Sequence, residues 1–291
     1  MRIGCIFGTG LNGAYLEHCG SIPKLAHMNL PADMPMCINC EYGAFNSKGN
    51  HPVLPKTPYD VMIDEQSPRP GQQAYEKMLA GLYLGEIYRL VVVDLHDNKK
   101  ILFPNQDIKS FREPFCLDAS FLSFIEDDPF ENLSETQDMF LDKMKIRANK
   151  AELELCRRLA ELIALRASRL SACGIAAICK MKGFESCHVG ADGSVFNKYP
   201  SFKQRNAHAL REIMDWPKGK KDPVIVSSSE DGSGVGAALI AALTVKRIKE
   251  GITYGIKDVS KFGAPEKIAV PKEDGATANI DAGKAKEGKA Q

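Results

Sequence analysis

Three times this chain sets a glycine turn after a strand-like stretch. Gly8-Thr9-Gly10-Leu11-Asn12-Gly13 follows IGCIF, Asp192-Gly193-Ser194 follows HVGA, and Gly232-Ser233-Gly234-Val235-Gly236 follows VIVSSSED. A short apolar run bounded by glycine reads as a buried strand. Glycine then supplies the positive φ and close backbone approach that a sharp turn needs. Consecutive N–H groups in such a turn form a concave nest for an anion. One turn alone is as readily a bare bend; three in one chain point to a nucleotide lying across several strand ends.

The first turn also spells G-x-G-x-x-G. In a dinucleotide fold the third glycine opens a full crossover helix, and a ribose-binding acid ends the next strand. Here AYLEHC meets Gly20 and Pro23 almost at once, so no full crossover helix is predicted and NAD fits poorly. The chain has no G-x-x-x-x-G-K-[ST] and no protein-kinase catalytic signature.

The rest of the pattern is α/β, with helices packed on a sheet. Residues 3–7 and 36–40 read as strands. PGQQAYEKMLAGLYLGEIYRL carries apolar residues at helical spacing from Pro70, and the following VVVDL suits strand or continued helix. Residues 97–148 read as short helices and loops, and 149–181 as one long helix whose SACGIAAIC half is buried on most sides. HVGADGSVF reads as strand-turn-strand, SFKQRNAHALREIMDW as helix, and DPVIVSSSEDGSGVGAALIAALTVKRI as strand, turn and helix. The domain is expected to span 1–256. The Lys, Ala and Gly-rich stretch 257–291 is expected to be a disordered tail.

Charge and cysteine content narrow the partners. Lys and Arg total 38 against 37 acidic residues, so no net field favours nucleic acid or an anionic membrane. No run reaches about 18 uninterrupted apolar residues, so a spanning helix is not predicted. Nine scattered cysteines read as reduced thiols in a cytosolic setting. Cys37 and Cys40 form a C-x-x-C with no second pair. Three apart on a strand, they face opposite ways, so no metal site is predicted.

Two loop carboxylates stand near these elements: Glu41 in MCINCEYG and Glu65 in IDEQSPRPGQQ. An ionised carboxylate accepts several hydroxyl hydrogen bonds, which suits a polyol such as a sugar. Spacing alone leaves both as solvated loop glutamates.

Together IFGTGLNGAY, INCEYGAF, IDEQSPRPGQQ, CGIAAIC, VGADGSVFNKYPSF and EDGSGVGAALIAAL resemble the hexokinase family, its fungal members above all, from about residue 2 to about 255. The resemblance implies an actin-like (ribonuclease H-like) fold, with this chain as the C-terminal large lobe and a helical insertion. It implies ATP-dependent phosphorylation of glucose or a related hexose at the 6-hydroxyl, feeding glycolysis, with Mg²⁺ carried by ATP. By the same resemblance Asn12, Glu41 and Glu65 contact the sugar. Gly8, Thr9 and Gly10 are similar to a phosphate-binding turn, and Pro70 and Gly71 to the next nucleotide contact. Asp192, Gly193, Ser194, Val195, Phe196, Asn197 and Lys198 match the adenosine-side loop, with Gly234 and Gly236 in the glycine turn supporting it.

The pattern also departs from the family. The DLGGT-type turn, the sugar loop with its lysine and the aspartate base precede GTG in the family, whereas seven residues precede Gly8 here. Leu165 stands where relatives carry a threonine. No catalytic residue is therefore assigned, and the polypeptide alone is expected to be nearly inactive. Lowered stability or an exposed apolar patch is expected on the TVKRI helix and parts of the first strand. A non-catalytic sugar or nucleotide sensor is the alternative.

Overall fold

The structure is a computed structural model that describes residues 2–47, 53–253, 256, 258 and 260. The expected tail therefore lies almost wholly outside the described residues. β1 (Ile3–Phe7) turns at Gly8–Gly10 into β2 (Leu11–His18), and β3 (Pro35–Asn39) adds antiparallel to β2. AYLEHC is thus strand rather than helix. Gly13, third of the G-x-G-x-x-G glycines, pairs with Cys5 inside the hairpin, which leaves no crossover helix for a dinucleotide.

α1 (Pro58–Gln66) starts where Thr57 and Asp60 form a capping box behind Pro58, and stops ahead of Pro68. Glu65 comes to rest on its last turn. The helix expected from Pro70 starts later and is interrupted. Gly71 and Gln73 both adopt positive φ, so α2 is only Ala74–Lys77, and α3 (Gly81–Asp97) begins after an extended Ala80. VVVDL continues α3 as helix.

α4 (Ala119–Glu126), α5 (Ser134–Met139) and α6 (Lys150–Lys182) follow. A capping box of Asn149 with Glu152 opens α6, and Gly183 closes it at φ 63°. No apolar run reaches spanning length, yet α6 is long and apolar enough to cross a membrane. Its most apolar stretch, with mean hydropathy 1.5, is 61% buried inside the fold, as expected of a core helix.

β4 (Cys187–Asp192), α7 (Ser194–Lys198), α8 (Phe202–Met214), β5 (Val224–Ser228) and α9 (Gly232–Lys249) complete the order. The sheet runs β3-β2-β1-β4-β5, with β4 parallel to β1 and β5 parallel to β4. The strand expected after Asp192 is α7 instead. Gly193 at φ 113° swings the chain away, and Asp192 Oδ1 accepts from both Gly193 N–H and Asn197 Nδ2, fixing one helical turn.

The chain divides into two compact units, Met1–Ser233 and Gly234–Gln291. In the first, Ile3, Cys5 and Phe7 turn one face of β1 into a core shared with α6 and α7. β1 is paired on both edges, so its exposure is confined to the other face, at Ile6. α9 carries Val235, Leu239, Ile240, Leu243 and Val245 as exposed apolar side chains.

Candidate sugar and nucleotide site

The strand ends meet through glycines. A Cβ on Gly8 in the hairpin turn would touch Gly193 Cα at 3.4 Å, an ordinary contact, whereas a Cβ on Gly193 would lie 2.5 Å from Phe7 O, too close for any side chain. A third glycine joins them. Gly81 donates its N–H to Gly8 O at 2.8 Å, and a Cβ there would meet Val195 Cγ2 at 2.8 Å. Side chains at Gly193 and Gly81 would force the end of β1, the start of α3 and the α7 turn apart, whereas one at Gly8 would only touch its neighbour.

That packing leaves a cavity of 450 Å³ bordered by Thr9 from the hairpin turn, Gly81 and Leu82 from α3, and Ser194, Val195 and Lys198 from α7. Tyr199 and the start of α4, from Asp118 to Ser123, close the other side. Volume and lining suit a nucleoside: apolar walls from Leu82, Ala119 and Val195, with hydroxyls and one ammonium at hand for polar groups. The other residues expected on the adenosine side do not line the cavity. Asp192, Gly193 and Asn197 bond to one another, and Phe196 is 1% exposed, packed against Phe7 and Phe202. Phe196 is a core residue, because its ring completes the aromatic cluster under β1. Leu165 does not line the cavity.

The second group is built on the next residues of the hairpin, at the start of β2. Asn12 Nδ2 donates to Glu41 Oε1 at 3.1 Å and to Asn39 Oδ1 at 2.7 Å, and its Oδ1 accepts from Glu41 N–H at 3.0 Å. Asn39 Nδ2 donates to the same Glu41 oxygen at 2.6 Å. Glu41 is exposed and held at φ 50°, a left-handed conformation that costs a non-glycine residue about 1–3 kcal/mol. Two amides thus orient a strained, solvent-facing carboxylate. Asn39, two residues before Glu41 in INCEY, carries no signal of its own in the sequence, because only the β2–β3 pairing brings it to Asn12.

Glu65 is exposed, and among the described residues its carboxylate makes no hydrogen bond or ion pair. It is not bonded to the Asn12–Glu41 cluster. Its loop is fastened nearby: Asp64 accepts Gly71 N–H at 3.0 Å and Lys77 Nζ at 2.5 Å. Partial burial pushes Asp64 up, but the bonds from Lys77 and Gly71 prevail, and its pKa sits below the usual value. Pro70 lies exposed ahead of Gly71, which stands at φ 73° with open space where a Cβ would be.

A smaller hollow of 280 Å³ is lined by both Asn12 and Asp192, together with Gly232 and Ser233. It sets the hairpin amide and the end of β4 in one cleft. Gly234 lies in the first turn of α9, in the second unit.

The hexokinase family model matches residues 2–243. The hexokinase of Emericella nidulans is 64% identical over 259 residues, covering 89% of this chain and 52% of its own length. Hexokinase-2 of Saccharomyces cerevisiae is 51% identical, covering 88% and 53% respectively. Among solved structures, the Schistosoma mansoni hexokinase complexed with glucose superposes with a TM-score of 0.71 at 34% identity, over 83% of this chain and 52% of that one. The chain spans about half the length of the relatives it matches, and its fold is α/β of the actin-like type. It belongs to the hexokinase family.

Proposed function

We propose that this chain supplies the sugar wall and nucleotide floor of an ATP-dependent hexokinase that phosphorylates glucose or a related hexose at the 6-hydroxyl, feeding glycolysis. One juxtaposition carries the reading. The hairpin turn contributes Thr9 to the nucleoside-sized cavity, while three residues later Asn12 grips Glu41. A sugar held at Glu41 and a triphosphate reaching out of the cavity would therefore meet along Gly8–Asn12. Glu41 and Glu65 accept bonds from sugar hydroxyls. Asn12 and Asn39 aim Glu41, and Thr9 and Gly10 face the phosphates. Pro70 and Gly71 contribute a further nucleotide contact. Ser194, Val195 and Lys198 border the adenosine. Mg²⁺ arrives with ATP as part of the substrate.

Phosphoryl transfer of this kind is mostly positioning and charge stabilisation, with a carboxylate taking the hydroxyl proton. No residue of this chain is assigned as that base. Assayed alone, the 291-residue polypeptide corresponds to about half of a family enzyme, and we infer slow turnover. Joined behind the N-terminal half of the 64%-identical relative, it should convert glucose and ATP to a 6-phosphate and ADP, with 6-deoxyglucose inert. The polypeptide alone should run at least about a hundredfold slower, the scale of a missing general base. A folded but inactive chimera would contradict the proposal and favour a sugar or nucleotide sensor.

A further inference from the structure

Three of the loops assigned to sugar and nucleotide meet at α2, a single helical turn too short to persist by itself. Glu76 Oε2 accepts the N–H of Leu11 at 2.7 Å, the residue between Gly10 and Asn12. The same oxygen lies 2.9 Å from where a Cβ on Gly10 would stand, and 3.5 Å from one on Gly43, in the turn directly after Glu41. Glycine at position 10 makes room for the carboxylate, and glycine at position 43 for Leu11 O at 3.0 Å and the Glu76 Cβ at 3.3 Å, so Glu76 packs between the two loops.

Lys77 fastens the third loop. Its Nζ donates to Asp64 Oδ1 at 2.5 Å and to Arg69 O at 2.7 Å, and Asp64 in turn accepts Gly71 N–H. That closes the segment carrying Glu65, Pro70 and Gly71. Lys77 is buried, so the ammonium depends on these acceptors. α2 itself is pinned to the body: Tyr75 OH donates to Leu170 O on α6, and Ala74 N–H donates to Ser47 Oγ.

We propose that Glu76 and Lys77 are positioning residues that hold the Asn12 hairpin turn, the Glu41 turn and the Glu65–Gly71 loop in one mutual arrangement. What those loops grip rests on the function proposed above; the tie between them does not.

Amide hydrogen exchange on the 291-residue chain reads the tie without ligand. Glu76→Ala should speed exchange at Leu11 and in the Tyr42–Ala44 turn by about tenfold, leaving Gly71 protected. Lys77→Met should do the reverse. Glu76→Gln, whose carbonyl still accepts from Leu11, should restore protection. Glucose titration then reads the consequence. Glu76→Ala should weaken binding about tenfold, the scale of one hydrogen bond to a charged group, with Glu76→Gln near the parent. Unchanged exchange at Leu11, or equal loss of protection across the whole chain in both variants, would overturn the proposal. A parent chain that binds no glucose would defeat the functional reading and the ligand half of this one, while the exchange pattern would still decide the tie.

Discussion

Asp192 Oδ2 accepts the N–H of Gly232 at 2.9 Å across 40 residues of chain, while its Oδ1 takes the N–H of Gly193 at 2.7 Å. One carboxylate thus joins the second glycine turn to the third. Both amides are spent on Asp192, so at these two positions the glycine turns shape the cleft rather than donate to phosphate.

Removing that carboxylate should loosen both turns. Asp192→Ala leaves two backbone donors without their charged acceptor, and each such bond contributes about 1.5–3 kcal/mol. With Asp192 half-buried, a loss of about 2–3 kcal/mol in denaturant unfolding is expected. Asp192→Asn keeps one acceptor and should cost less; equal cost would show that the second bond contributes nothing.

Two glycines with positive φ should respond differently to alanine. At Gly193 a methyl would strike Phe7 O at 2.5 Å with φ at 113°, so a loss of about 3 kcal/mol or more is expected. At Gly71 the space is open, and only the left-handed conformation opposes the methyl, at about 1–2 kcal/mol. Unfolding curves of the two variants should rank in that order.

The Asp64–Lys77 tie should withstand mild acid. Asp64 in the folded chain titrates below its usual 3.8, so its contribution is complete above that pH and is lost as pH falls through the lower folded value. Protection of Gly71 N–H, corrected for intrinsic exchange, should stay level from neutrality to about pH 4 and drop below it. Asp64→Asn should remove that drop.

Thiol chemistry should follow burial. Burial pushes Cys5 and Cys156 up to about 12, whereas Cys37, Cys116 and Cys173 are exposed. Alkylation of the native chain at pH 8, read by peptide mass spectrometry, should label the exposed three and spare Cys5 and Cys156. Labelling of Cys5 before Cys37 would contradict the packing of β1.

Local signals carried much of the fold. The apolar run Ile3–Phe7, the Asn149–Glu152 capping box of α6 and the Val224–Ser228 strand each announce themselves within a few residues. The interruption between α2 and α3 does not, because Met78–Ala80 keeps helical apolar spacing. It is the demand of Gly8 O for the Gly81 N–H that fixes the new start. α7 was hidden for a similar reason: its single turn depends on one carboxylate and a buried Phe196 rather than on propensity. In the site, glycines and acidic residues stood out by type. The Asp118–Ser123 wall and the Glu76 tie did not, since they meet the hairpin only through tertiary packing.

We propose that two acidic side chains, Glu41 beside the first glycine turn and Glu65 at the end of α1, hold a sugar. Calorimetric titration of glucose into the parent chain, Glu41→Gln and Glu65→Gln tests it most directly. Saturable binding by the parent is expected, with affinity lowered about tenfold or more in each variant and melting curves unchanged. A folded parent that takes up no glucose, or variants that bind it as the parent does, would contradict it.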